Sequence, residues 1–181
     1  MTAKRVREFA DQAAGEIAAA IAAVDGESVD SLVETLMNAH RVFVSGVGRS
    51  GLVGRAIAMR LMHIGLSAYA VGEVSTPGID SGDLLLAITA TGRGTIENQC
   101  QVAVKAGAAV AVISTRSTGA IHDLAEVAVL LPIRSAVPTQ QHAGSLFEQS
   151  ALVIGDAVCR EIQGRRGVPT AELDRRHANL S

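Results

Sequence analysis

Two short polar loops carry most of the side chains in this chain that could do chemistry. The first, SGVGRSG (45–51), sets Gly46, Gly48 and Gly51 in the order G-x-G-x-x-G, directly after a β-branched run and ahead of a helical pattern. Glycines at a strand-to-helix turn let the backbone approach an anion closely, and the first amides of the helix point at it. The spacing serves a dinucleotide, and Glu73, after the next apolar run, stands where an acid could hold a ribose. A turn with no ligand and a site for one phosphate are open alongside that reading.

The second loop, TATGRGT (89–95), brings Thr89, Thr91, Thr95, Arg93 and the glycines Gly92 and Gly94 to the start of another helix. In an open parallel sheet of flavodoxin-like order the first and third strands are neighbours, so both loops face one crevice. Backbone amides, Ser50 and three threonines then converge on a volume that suits one phosphate better than a pyrophosphate with two nucleosides. Charge-assisted hydrogen bonds of about 1.5–3 kcal/mol each outweigh a helix-terminus field of about 0.3–1 kcal/mol, so hydroxyls and amides dominate the binding.

Five apolar runs must supply the strands that hold these loops: RVFVS (41–45), SAYAV (67–71), LLLAIT (84–89), AVAVIS (109–114) and EVAVLL (126–131). They are continuous rather than alternating in polarity, as expected of strands buried on both faces. Helical segments connect them from Arg49 to Ile64, from Thr95 to Ala106 and through TGAIHDLA, and a last helix from Ser145 to about Gln163 is apolar almost all round. Ahead of the first strand, Val6, Phe9, Ala13, Ile17, Ala20 and Val24 line one side of a helix, and a second short helix follows with Ser28 in a capping position. The expected fold class is α/β, a three-layer sandwich on a five-stranded parallel sheet. Residues 1–181 form one domain in this reading, with a helical extension at 1–39 and a tail at 165–181 that by itself reads as a frayed end. The longest unstructured connection is RSAVPTQQHAGS (134–145), a length often tied to function.

Composition narrows the function classes. A formal charge of −2 and the lack of Trp remove the basic surface and stacking aromatics of a nucleic-acid binder. Cys100 and Cys159 stand apart from each other and from any His cluster, so neither a disulfide nor a zinc site is expected. No uncharged apolar run reaches membrane-spanning length and the N-terminus has no signal-peptide core, so no membrane partner and a cytoplasmic location are expected.

With the two loops in hand, the sequence resembles the sugar isomerase (SIS) superfamily, whose members bind phosphosugars on a five-stranded parallel sheet. More narrowly, it resembles the 6-phospho-3-hexuloisomerase family of the ribulose monophosphate pathway of formaldehyde assimilation. The most specific pieces are GVGRSG (46–51), AMRLMHIG (58–65), the VGE…TP stretch (71–77), SLFEQ (145–149) and the terminal RHANL (176–180). One loop departs from the pattern. The family's second loop usually reads Ser-x-Ser-Gly-x-Thr; here Thr89, Thr91 and Gly92 match, Gly94 stands at the Thr position and Thr95 comes one later.

The resemblance implies a phosphosugar substrate, no cofactor and no metal, and an enzyme that interconverts 3-hexulose 6-phosphate and fructose 6-phosphate through a cis-enediol. Gly48, Ser50, Thr89, Thr91, Gly92 and Thr95 then hold the phosphate, and Glu73 lines the pocket. Such a reaction needs a base and a group that manages oxygen-bound protons. The resemblance assigns the base to Glu148, although Ser145-x-x-Glu148 also reads as a capping box that ties down a helix start. It assigns ring opening or proton shuttling to His63, which by position could equally interact only with the negative end of a helix dipole. Arg49 would stabilise the enediolate; positive charge at a helix start is mildly unfavourable, which argues for a reason beyond solvation. A homotetramer is implied, with RHANL reaching a neighbouring subunit. Alternatives are another aldose–ketose isomerase of the superfamily, such as one acting on arabinose 5-phosphate, a sugar-phosphate sensor, and the dinucleotide reading.

Overall fold

The computed structural model describes residues 2–180 of the chain. A five-stranded sheet, all parallel, runs in the order β2-β1-β3-β4-β5, with β1 Val42–Ser45, β2 Ala68–Ala70, β3 Leu84–Ile88, β4 Ala109–Ser114 and β5 Val127–Leu130. All five predicted strands are present, each within a residue or two of its apolar run. The helices are α1 Thr2–Ala22, α2 Gly26–Asn38, α3 Arg49–His63, α4 Thr95–Lys105, α5 Ala120–Leu124, α6 Ser145–Arg165 and α7 Thr170–Arg176.

The two faces of the sheet are covered unequally. On one face Leu32, Val33 and Leu36 of α2, Val53, Ile57 and Leu61 of α3, and Phe147, Ile154 and Val158 of α6 close over Val42, Val44, Leu84 and Leu86. The opposite face carries only α4 and the short α5, whose Ile96, Cys100, Ala103 and Ile121 pack on Phe43, Leu85, Val110 and Val112. Helices α3 and α4 therefore leave adjacent strands and turn to opposite faces, which makes the gap between β1 and β3 the switch point of the fold. At the other end of these two strands Asp83 accepts from Arg41 Nε at 2.9 Å and from the Asp80 amide at 2.8 Å. Burial works against its charge, but those donors outweigh burial and hold the carboxyl below its ordinary value.

Three details differ from expectation. Asp25, not Ser28, caps α2: its carboxylate accepts from the Ser28 amide at 2.9 Å, and the Ser28 hydroxyl donates to the Asp25 carbonyl at 2.7 Å. An ionised acceptor makes the stronger bond to an orphan amide, which explains the shift. The stripe of α1 is only half used: Ala20 is buried and Ile17, Ile21 and Val24 pack on the core, while Val6 and Phe9 remain exposed. The tail is not frayed, because Leu173 of α7 packs on the core and Arg176 donates to the His63 carbonyl at 3.1 Å.

Close packing explains two glycines of the first loop. A Cβ on Gly46 would stand 2.7 Å from the Ser50 backbone, and one on Gly51 would stand 2.6 Å from the Gly46 carbonyl oxygen. Neither neighbour can yield, since both are main chain. Gly51→Ala is expected to cost about 1–3 kcal/mol in urea unfolding. Gly15→Ala, in open space on α1, is expected to gain roughly 0.5–1 kcal/mol in the same measurement.

Candidate active site

The register pairs Ser45 with Ala87, so the first and second loops leave neighbouring strands at the same level. Helix α3 begins at Gly48, with φ +61°, and α4 begins at Gly94, with φ +66°. Neither helix has a side-chain cap. A third uncapped start lies beside them at α6, whose N-cap is Gly144. The orphan amides of three helices thus have no side-chain acceptor, and the strand register and the approach of Glu148 to Arg49 relate the three starts, an arrangement that favours an anion.

The polar residues of the two loops divide into holders and free groups. Thr89 is buried, and its hydroxyl accepts from the Gly92 amide at 3.0 Å, which closes the second loop and leaves its proton available to donate. Gly92, with φ +67°, has no room for a side chain because Ile121 fills the space. Ser50 is buried in the first turn of α3, whereas Thr91 and Thr95 are exposed at the opening. Glu73, after β2, is half-exposed and held by Arg55 Nε of α3 at 2.6 Å.

Glu148 sits in the first turn of α6 and pairs with Arg49 Nε of the first loop. The capping-box alternative fails, because Gly144 occupies the cap position, Ser145 is already helical and no side chain caps the helix. With only 13% of its side chain exposed against 63% for Arg49, the carboxylate is set into the protein beside the anion cradle. The loop before it is anchored from α1: Glu16 accepts from the Thr139 hydroxyl at 2.7 Å and from Gln141 Nε2 at 2.9 Å. Arg134, itself at φ +65°, donates to the carbonyls of Gln141 at 3.0 Å and Ala143 at 3.3 Å.

His63 is not brought to this crevice. It closes the far end of the 15-residue α3, about 20 Å from Arg49 at a helical rise of about 1.5 Å per residue. There it is buried, 4% exposed, with its ring stacked on that of His177 at a centroid distance of 5.2 Å. Burial, then His177 and Arg60, push its pKa below the ordinary value. RHANL therefore folds back beside His63 of its own chain. Sequence reasoning missed Gln99 of α4, whose Oε1 accepts from the buried Ser45 hydroxyl at 2.5 Å. The available signal was its place one helical turn after Thr95, on the same side of α4. Gln149, next to Glu148, was missed too, and its buried Oε1 has no partner.

Burial pushes the Cys100 thiol up to about 11 and that of Cys159 up to about 12, so neither is a nucleophile at neutral pH. Among the described residues no cluster of His, Cys, Asp and Glu could hold a metal ion. No described helix is long and apolar enough to cross a membrane.

Comparison with known proteins supplies the family. A relative from Mycobacterium gastri, named 3-hexulose-6-phosphate isomerase, is 41% identical over 91% of this chain and 86% of its own. A Bacillus subtilis protein of the same name is 31% identical over 97% and 99%. A crystal structure of a Methanococcus jannaschii protein, for which a function of 3-hexulose-6-phosphate isomerase was inferred, superposes with a TM-score of 0.84 at 31% identity, covering 96% of this chain and 99% of that one. The profile of the SIS domain matches residues 35–153, which span the whole sheet, both loops and Glu148, and this chain belongs to the SIS domain family.

Proposed function

We propose that this protein isomerises 3-hexulose 6-phosphate and fructose 6-phosphate through a cis-enediol. The observation that carries the reading is the pairing of Glu148 with Arg49 at the meeting point of three uncapped helix starts. A phosphate in the cradle of Gly48, Ser50, Thr89, Thr91, Gly92 and Thr95 is held by amides and hydroxyls, and the sugar chain extends toward Glu73 and Glu148. Glu148 takes the proton from C2 of the 3-ketose and returns it to C3, while Arg49, released to the substrate, stabilises charge on the enediolate oxygens. The names of the M. gastri and B. subtilis relatives support the choice of substrate.

The same step moves a proton from the C2 oxygen to the C3 oxygen, the task proposed for His63. With His63 at the far end of α3, it serves this crevice only from a second copy of the chain. Leu52, Met59 and Met62 form an exposed apolar stripe on α3, continued by Val47. Ala56 lies midway between Arg49 and His63 in sequence, so two α3 helices packed antiparallel about an axis beside Ala56 set each His63 level with the other copy's Arg49. The exposed Val6 and Phe9 of α1 offer a further apolar face for the homotetramer.

Glu148→Gln is expected to lower kcat about 100-fold or more while the far-ultraviolet circular dichroism is unchanged; turnover near the parent rate removes Glu148 as the base. Met59→Glu is expected to reduce the sedimenting mass and the turnover together, and a fully active monomer overturns the shared site. Fructose 6-phosphate at 100 times its Kd is expected to stabilise the protein by about 2.7 kcal/mol in thermal unfolding. Stabilisation by NAD in its place would restore the dinucleotide reading.

A further inference from the structure

The stacked imidazoles of His63 and His177 have no part in holding the sheet together. His177 is exposed, comes after the last residue of α7, and still lies ring to ring with the buried His63 at 5.2 Å and an interplanar angle of 24°. The preceding residue fixes this approach. Arg176 Nη1 donates to the His63 carbonyl at 3.1 Å, and its guanidinium lies over Gly65, where a Cβ would stand 3.0 Å from Nη1. Gly65, at φ +88°, thus serves both as the stop of α3 and as the seat of Arg176. Glu172, one turn earlier on α7, holds Arg176 Nη2 at 3.4 Å.

We propose that His177 is a positioning residue for His63: the tail closes over one face of the His63 ring, fixes its plane and keeps it uncharged, leaving the ring edge with both nitrogens for the substrate. The inference rests on the proton-carrying role of His63 given above. A stack covers the ring face, whereas imidazole exchanges protons at its edge. An uncharged imidazole can accept a proton from one oxygen while giving its own to the next, which is what a shuttle between neighbouring oxygens requires.

The charged groups around the ring favour that uncharged form. Arg60, on the same helix, faces it and is only partly offset by Asp156 of α6 at 3.5 Å; Arg176 and Glu172 face it from α7. A second imidazole at stacking distance adds like charge whenever it is protonated, and burial removes water from the first.

The test uses the full chain with His177→Phe and His177→Ala. Phenylalanine keeps an aromatic ring on His63 but cannot carry charge; alanine removes both the ring and the charge. In His177→Phe the proton NMR titration of His63, assigned through His63→Gln, is expected to shift to higher pH. The acid limb of kcat/KM for 3-hexulose 6-phosphate is expected to shift with it, with kcat at its plateau near the parent value. His177→Ala is expected to lose about 10-fold or more in plateau kcat, which phenylalanine restores. An unmoved His63 titration in His177→Phe overturns the proposal, whatever the activity. A titration that shifts while the acid limb stays also overturns it and separates His63 from the reaction; the role of Glu148 is judged independently by Glu148→Gln.

Discussion

The pairing of Arg49 with Glu148 is the contact that ties two distant parts of the chain together beside the first glycine loop. Arg49 opens α3, directly after β1; Glu148 lies in the first turn of α6, about a hundred residues later. A pair with one partner mostly in solvent stabilises a fold by about 1 kcal/mol or less, so what it contributes is placement. It holds an arginine at a helix start, where the local field is unfavourable, and holds a carboxylate beside a cradle built for anions. Arg49 is poorly placed alone, and the carboxylate of Glu148, well placed in the first turn of α6, offsets that cost.

That placement depends on the backbone being able to come close. Gly46 and Gly51 let the first turn of α3 touch the end of β1, and Gly48 and Gly94 take conformations that side chains resist. Gly48, Gly94 and Gly144 also stand where Ser, Thr, Asp or Asn would cap a helix, so these three helix starts have no side-chain acceptor. Helix α3 imposes a second constraint: as a rigid rod it separates Arg49 at its start from His63 at its end within one chain.

Much of this was legible in the sequence because it rests on local pattern. Continuous apolar runs marked all five strands, and the glycine spacing marked both loops, since each reflects a backbone requirement that few other residues meet. The flavodoxin-like order makes the first and third strands neighbours, and the sheet has that order. What could not be read was contact between distant segments. Ser145 and Glu148 satisfy the capping-box spacing, and only the coordinates reveal that Gly144 takes the cap and Arg49 takes the carboxylate. The tail looked frayed because α7 is short and polar, yet one leucine and the Arg176 bond to the end of α3 seat it. Gln149 was invisible for the same reason, whereas Gln99 carried one usable signal, its place one turn after Thr95 on α4, with nothing in the sequence to name Ser45 as its partner.

The second loop shows how a departure in sequence can be absorbed by backbone geometry. The family pattern resembled here has a threonine where this chain has Gly94, and Gly94 sits at φ +66° and ψ −122°, a conformation costly for any β-branched residue. A hydroxyl at that position would require the turn to open. In this chain the turn stays tight, the glycine caps α4, and the hydroxyl moves to Thr95 at the first helical residue. The loop therefore keeps three threonines, Thr89 closing it through Gly92 and Thr91 and Thr95 exposed, and the displaced one is carried by a helix rather than by a loop.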